Sequence, residues 1–342
     1  MKESKESEKR TADSTSRKCV FVLPYYGHFP QYFQLFLNSC GANPDFDWLI
    51  FTDDHTGYRY PPNVHVHYET FADMQRRVHD AFDFHPQLKT PYKLCDLKPM
   101  YGYLFADWLG GYQYWGYCDC DVVFGNLNHY ITAELLTGYD KLFELGHCSI
   151  LRNTAENNRR FMLPLNGEEL YRKVLVSERI FTFDESYLDT NVNEIFREHG
   201  ATVFGTDYSA NTRAAGSVFQ ITRYQPDLRT YCTEAPVRSV YVWDNGTLRR
   251  YVKRLGSFVE SELMYMHFQR RRMDVRITEK DWGRFKILPG SFEPLEVETV
   301  DADSFGSIAW KHESDLIRHR IEIWSGNCRF WRKKIAGRLL PR

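Results

Sequence analysis

The sequence predicts an α/β fold: a nucleotide-binding, Rossmann-type mixed sheet with flanking helices. Three observations carry this. The apolar run Cys19-Val-Phe-Val-Leu-Pro24 is followed by a helical stripe and a second apolar run, together about 35 residues, the size of a βαβ unit. The segment Tyr112-Gln-Tyr-Trp-Gly-Tyr-Cys-Asp-Cys-Asp-Val-Val-Phe-Gly125 sets two carboxylates, Asp119 and Asp121, at the end of an aromatic, strand-like stretch. Further on, Val240–Val252 alternates on either side of Asn245-Gly246, the favoured turn of a two-residue hairpin.

In chain order, the first strand ends at Tyr25-Tyr26-Gly27-His28, a glycine-bearing turn. Phe29, Phe33, Phe36, Leu37 and Cys40 then recur at helical spacing until Gly41 and Pro44 stop the pattern. Phe46–Asp54 reads as a second strand running into an acidic loop, and Val64–Tyr68 as a short alternating one. His65 and His67 on that strand follow from alternation alone. Residues 70–90 predict an amphipathic helix and a proline-bearing loop. Residues 93–108 predict the strongest helix, with Leu97, Tyr101, Leu104, Phe105 and Trp108 inward and a stop at Gly110-Gly111. Pro99 suits a first helical turn, which makes Asp96 an N-cap candidate. Beyond the carboxylates, residues 139–153 predict two strands broken at Gly146-His147, 155–180 and 187–200 predict helices, and Val203 opens another strand. His267 lies in a late apolar strand, Glu262–Gln269.

Composition narrows the function classes. The formal net charge of -1 gives no electrostatic footprint for nucleic acid. The eight cysteines show no zinc spacing and no Cys-x-x-Cys pair, a pattern of reduced, cytoplasmic thiols. Residues 1–18 are polar and read as a disordered tail, and no run approaches the roughly 20 apolar residues of a membrane span. The stretch Arg329–Arg342 carries six basic residues and no acid, with Trp331, Ile335 and Leu339 on one helical face. It reads either as a solvated terminal helix or as a peripheral contact with the inner face of a membrane.

In an extended strand, side chains two apart share a face. Asp119 and Asp121 would thus converge at a strand's carboxyl end, where open α/β sheets bind ligands. Paired hard oxygens suit Mg²⁺ or Mn²⁺ carrying a diphosphate, which points to a nucleotide-sugar site. Asp184 and Glu185 follow an alternating aromatic pair and offer either a carboxylate base or a helix cap. Tyr241 and Trp243 offer either sugar stacking or hairpin packing.

Taken in order, Leu23-Pro-Tyr-Tyr-Gly27, Phe51-Thr-Asp-Asp54, Pro91-Tyr-Lys-Leu-Cys-Asp-Leu-Lys-Pro99, Trp115-Gly-Tyr-Cys-Asp-Cys-Asp121, Gly146-His147 and Tyr265-Met-His267 resemble a family of bacterial GT-A glycosyltransferase-like proteins associated with polysaccharide biosynthesis. A looser similarity to mannosyltransferase-like and toxin glucosyltransferases departs in spacing, because seven residues separate Gly111 from Asp119. The resemblance implies a GT-A-like domain over residues 19–290, with a nucleotide-sugar half at 19–126 and an acceptor half at 127–290. Residues 291–342 would form a C-terminal extension. It implies Mn²⁺ or Mg²⁺ held directly by Asp121, with Asp119 reaching the metal through water or contacting the donor ribose, and with His267 added to the shell. Donor contacts would come from Tyr25, Asp53, Lys93, Asp96, Lys98 and Asp119, and catalysis from Asp184 or Glu185. The expected activity is transfer of a sugar from a UDP- or GDP-sugar to a glycan or lipid-linked acceptor, with no nucleic-acid partner. The competing expectation is a non-catalytic sugar-nucleotide or glycan-binding protein of the same fold.

Overall fold

The computed structural model describes residues 19–213, 218–254, 257–269 and 271–309, with Ile317, Ile321, Trp324 and Ser325. The tail expected at 1–18 and the basic stretch 329–342 lie outside the described residues. The chain is mixed α/β. Strand β1 (Cys19–Tyr25) leads through helix α1 (Phe33–Gly41) to β2 (Phe46–Thr52), then β3 (Val64–Tyr68) and α2 (Phe71–Ala81). Helix α2 starts with a reciprocal capping box between Thr70 and Asp73. The single helix expected over 93–108 is instead a chain of short turns, including α3 (Leu94–Leu97) and α4 (Tyr101–Leu104). Pro99 lies in the 3₁₀ turn Lys98–Met100 that separates them. A proline lacks the N–H that a continuous helix would need there.

Strand β4 (Tyr114–Cys118) and the three-residue β5 (Val122–Phe124) follow, then α5 (Leu127–Tyr130) and α6 (Ala133–Gly138). Strands β6 (Lys141–Leu145) and β7 (Cys148–Arg152) flank the Gly146-His147 turn as expected. The helices expected at 155–180 and 187–200 shrink to α7 (Leu170–Leu175), beside a 3₁₀ turn at Asn157–Met162, and α8 (Val192–Glu198). Strands β8 (Val203–Phe204), β9 (Ser209–Asn211), β10 (Thr222–Gln225) and β11 (Thr230–Thr233) precede the long hairpin of β12 (Ser239–Asp244) and β13 (Thr247–Arg254). Its turn residues, Asn245 and Gly246, both have positive φ (44° and 91°), as a primed turn requires. The chain closes with β14 (Ser257–Leu263), β15 (Tyr265–His267), β16 (Asp274–Val275), β17 (Arg284–Leu288), β18 (Ser291–Pro294) and α9 (Phe305–Ile308).

The main sheet has seven strands in the order β3-β2-β1-β4-β7-β6-β8. β1 pairs in parallel with both β2 and β4, whereas β7 runs antiparallel to β4. Alternation along β1 supplies two core layers: Val20 and Val22 pack with Phe51, Trp115 and Tyr117 on one face. Cys19, Phe21 and Leu23 pack with Trp48, Cys118 and helix α1 on the other. A second sheet, β14-β13-β12-β17-β18-β16, stands beside it, and the small sheet β5-β15-β9 joins the two regions. The expected boundaries at 126 and 290 follow neither sheet. β6 to β8 complete the first sheet from beyond 126, and position 290 falls inside the β17–β18 hairpin. Phe305 and Ile308 pack onto Val240, Val242 and Tyr251 of the second sheet, so residues past 290 belong to its core. Among the described residues no helix is long and apolar enough to cross a membrane.

Candidate metal centre

The two carboxylates sit where the chain changes sheets. β4 ends at Cys118 in the main sheet, and β5 begins at Val122 in the small one. Cys118 and Cys120 are buried in the core layer that holds helix α1, which leaves Asp119 and Asp121 to the other side. The partner of β5 is β15, in antiparallel register with His267 opposite Val122. The Phe268 N–H donates to the Asp121 carbonyl at 3.0 Å. This register, rather than proximity in sequence, delivers a histidine from residue 267 to the Asp-x-Asp.

His267 Nε2 lies 3.3 Å from Asp121 Oδ1 and 3.7 Å from Asp119 Oδ2. One ligand atom from each of the three residues falls within 4.8 Å of the others. The outer edge of the imidazole is fixed as well. Asn211 Oδ1, on the neighbouring strand β9, faces His267 Nδ1 at 3.1 Å and accepts from Gln269 Nε2 at 2.6 Å. An amide oxygen can only accept, so Nδ1 carries a proton and Nε2 is the ring atom left to ligate a cation. A ligating histidine is commonly held in its metal-binding tautomer by such a bond. Burial works against protonation of His267, but the Asp121 and Asp119 carboxylates outweigh it and hold the imidazole above its ordinary range. Two oxygen donors and one neutral nitrogen fit Mn²⁺ well and Mg²⁺ less well, since imidazole is a borderline ligand.

Lys98 closes one side of this cluster. Its Nζ donates to Asp119 Oδ1 at 2.6 Å and to the Gly146 carbonyl at 2.9 Å, and lies 3.4 Å from Asp184 Oδ2. The ammonium therefore spans Asp119 and the carboxylate expected to act as base. Asp184 caps no helix: Asn191 caps α8, accepting from the Asn193 and Glu194 N–H groups. Burial pushes the Asp184 carboxyl up to about 7 despite Lys98. Glu185 Oε2 accepts from the Gly146 N–H at 3.4 Å. A Cβ on Gly146 would meet Asp184 Oδ2 at 2.2 Å, so glycine is what lets that carboxylate approach the turn.

The remaining expected residues divide. Tyr25, at the carboxyl end of β1, stacks on Phe29 with centroids 4.6 Å apart. Burial raises its hydroxyl to about 12, with further contributions from Cys120 and Asp121, which places it beside the cluster. Asp53 follows β2 and accepts from the Gly27 N–H at 2.6 Å, bracing the turn after β1. Lys93 and Asp96 behave differently from expectation. Asp96 lies inside α3 rather than at its N-cap. Its side chain is 0% exposed and that of Lys93 2%, and the two pair at 2.8 Å. The Asp96 oxygens also accept from the Phe181 and Phe183 N–H groups, so neither side chain is open to a ligand. Tyr241 and Trp243 belong to the second core, with Trp243 stacked on Phe285 and its Nε1 donating to the Phe124 carbonyl. His65 and His67 form no pair: His67 stacks on Phe51, and His65 faces Asp47. Asn211 escaped the sequence reading because an isolated asparagine carries no pattern. His147 was visible only as half of a strand-breaking Gly-His turn.

Residues 21–296 match a family of unknown function (DUF6625). The chain belongs to that family. The matched span contains every residue of the candidate metal centre, along with Lys98, Asp184 and Glu185. No curated protein matches the chain.

Proposed function

We propose that this chain is a metal-dependent glycosyltransferase that moves a sugar from a nucleotide-sugar donor to a glycan or lipid-linked acceptor. The observation that carries the proposal is the meeting of Asp119, Asp121 and His267 at the chain's exit from β4, with Asn211 setting the histidine tautomer. The strand order β3-β2-β1-β4 supports a Rossmann-type, GT-A-like reading of the first sheet. Its order reverses at β1, and ligands bind in such sheets beyond the strand carboxyl ends. Tyr25, Asp53 and Asp119 all lie at those ends.

In this reading Asp119, Asp121 and His267 hold Mn²⁺ or Mg²⁺. When bound, the cation supplies Lewis-acid stabilisation of the departing nucleoside diphosphate. Lys98 keeps a positive charge between Asp119 and Asp184, so the two carboxylates coexist without direct repulsion. Asp184, largely desolvated and raised towards neutrality by burial, is suited to take a proton from an acceptor hydroxyl near pH 7. Glu185 is anchored on the Gly146 N–H and is the alternative base. The test is incubation of the full chain with Mn²⁺ and a panel of UDP- and GDP-sugars, following nucleotide release with and without candidate acceptors. Metal-dependent release is the expected result. Metal-dependent binding of a nucleotide sugar with no release under any acceptor condition would assign the chain to the non-catalytic class.

A further inference from the structure

Around the metal centre, the protein's own acceptors already occupy most of its hydrogen-bond donors. An ammonium has three N–H groups, and Lys98 Nζ faces three acceptors: Asp119, the Gly146 carbonyl and Asp184. His267 Nδ1 is committed to Asn211. His147 is the exception. It is 3% exposed, yet its Nε2 is buried and has no hydrogen-bond partner among the described residues. Buried polar atoms are rarely left in that state, and each such case calls for an explanation.

The position of the ring supplies one. His147 lies directly beside the metal centre: its ring centroid is 4.5 Å from that of His267, and its carbonyl accepts from the Asp119 N–H at 3.2 Å. Its Nδ1 is 2.6 Å from Tyr265 Oη, on the same face of β15 as His267. That short contact decides the tautomer. If Nδ1 carried the proton, the Tyr265 hydroxyl would have to turn its own proton away from this 2.6 Å contact, and the Nε2 lone pair would be unmatched. With Tyr265 donating to Nδ1, one unmatched group remains, an Nε2–H.

We infer that the His147 Nε2–H is a substrate-binding donor, making a hydrogen bond to a phosphate oxygen of the metal-bound diphosphate. The inference rests on the reading of this site as one for a cation and a diphosphate. A phosphate oxygen suits the site because the neighbouring carboxylates are acceptors only, so an anion entering there needs a donor that the protein does not use itself. Tyr265 acts through His147, as a positioning residue that selects the tautomer.

The test uses the full chain, Mn²⁺ and inorganic pyrophosphate, with calorimetry of Mn²⁺ alone and then of pyrophosphate to the Mn²⁺-loaded protein. His147→Leu should leave the Mn²⁺ affinity unchanged, which also reports that the centre is assembled. It should weaken pyrophosphate binding about tenfold, as expected for one lost hydrogen bond to a charged oxygen. His147→Gln, whose amide N–H can occupy the Nε2 position, should recover most of that loss. Equal pyrophosphate affinity in wild type and His147→Leu overturns the inference. So does a parallel fall in Mn²⁺ affinity, which would make His147 a prop or ligand of the centre, and so does wild-type protein that takes up Mn²⁺ but no pyrophosphate. The glycosyltransferase reading stands apart from this result: a His147-dependent pyrophosphate affinity in a protein that processes no nucleotide sugar would keep the diphosphate contact and remove the transfer.

Discussion

Two lysine–aspartate pairs, whose lysines stand five residues apart on one run of short helical turns, have opposite fates. Lys93 and Asp96 pair at 2.8 Å with both side chains enclosed, and the backbone of Phe181 and Phe183 fills the remaining carboxylate valence. Lys98 pairs with Asp119 at 2.6 Å, but that aspartate side chain stays 31% exposed, and its other oxygen faces His267. The first pair is complete within the protein; the second belongs to a cluster whose ligand atoms lie close enough together to hold a cation. In sequence Lys93 and Lys98 both stand close to Asp96 and both read as donor contacts. The difference comes from what the fold brings up to the second oxygen: peptide N–H groups in one case, an imidazole and another carboxylate in the other. Charge alone does not mark a site, whereas charge left uncompensated by the fold does.

Exchanging an amide for a carboxylate in the open cluster and in the closed pair tests this contrast. Asp121→Asn, on the open side, should lose Mn²⁺ binding and bring transfer below detection while the thermal unfolding curve keeps its midpoint. Turnover near wild type in a folded Asp121→Asn protein would remove the metal centre from the mechanism. Asp96→Asn, on the closed side, should act on stability. It leaves the Lys93 ammonium buried without its counter-charge, which costs about 3–5 kcal/mol. Urea denaturation would read that loss, and a destabilisation below about 1 kcal/mol would show that the pair is not closed as described.

The contrast also marks what the sequence could reveal. The strands around β1, the Asp-x-Asp, the strand break at Gly146-His147 and the Asn245-Gly246 hairpin were all legible, because each rests on local chemistry: alternation, turn residues, apolar runs. His267 was legible only by resemblance, since its place beside Asp121 depends on the β5–β15 register. The long helix over 93–108 was misread because its apolar spacing is helical while Pro99 breaks the hydrogen-bond ladder. Asp96 was misread with it, as an N-cap. Asn211 and the orphaned nitrogen of His147 were not legible at all. Each gains its meaning from residues more than 50 positions away, Asn211 from His267 and His147 from Tyr265.

A finer version of the contrast separates a ligand from the residue that orients it. Asn211→Ala keeps all three candidate ligands but frees the His267 ring to change tautomer or rotate. Loss of such an outer partner typically lowers metal affinity about 10- to 100-fold. The expected outcome is a Mn²⁺ affinity weakened within that range, with Asn211→Asp restoring part of it, since a carboxylate also accepts from Nδ1. An Asn211→Ala protein that binds Mn²⁺ as wild type does would mean that Asp119 and Asp121 position the ion without help from the histidine tautomer.

A third lysine carries the comparison to its limit, as a buried ammonium with neutral partners. Lys141 in β6 is 0% exposed and donates to the Phe143 carbonyl and Ser149 Oγ. Phe143 has a positive φ of 66°, at the irregularity between β6 and β7, and its carbonyl is turned towards the ammonium. Burial depresses the Lys141 pKa to about 7, with Glu144 only partly opposing it. An unfolded lysine titrates near 10.4. Between those values the unfolded chain holds a proton that the folded chain has released, so stability should rise with pH across the window. Below about 7 both states are protonated and the contribution is flat at its lowest level; above the unfolded value both are neutral and it is flat at its highest. The slope from this one group is at most about 1.4 kcal/mol per pH unit. Comparing urea midpoints of wild type and Lys141→Met from pH 7.5 to 9.5 isolates it, because the other titrating groups are common to both proteins. The wild-type curve should climb towards the variant as pH rises. Parallel curves would mean that Lys141 stays charged in the core, held by Glu144 as firmly as Lys93 is held by Asp96.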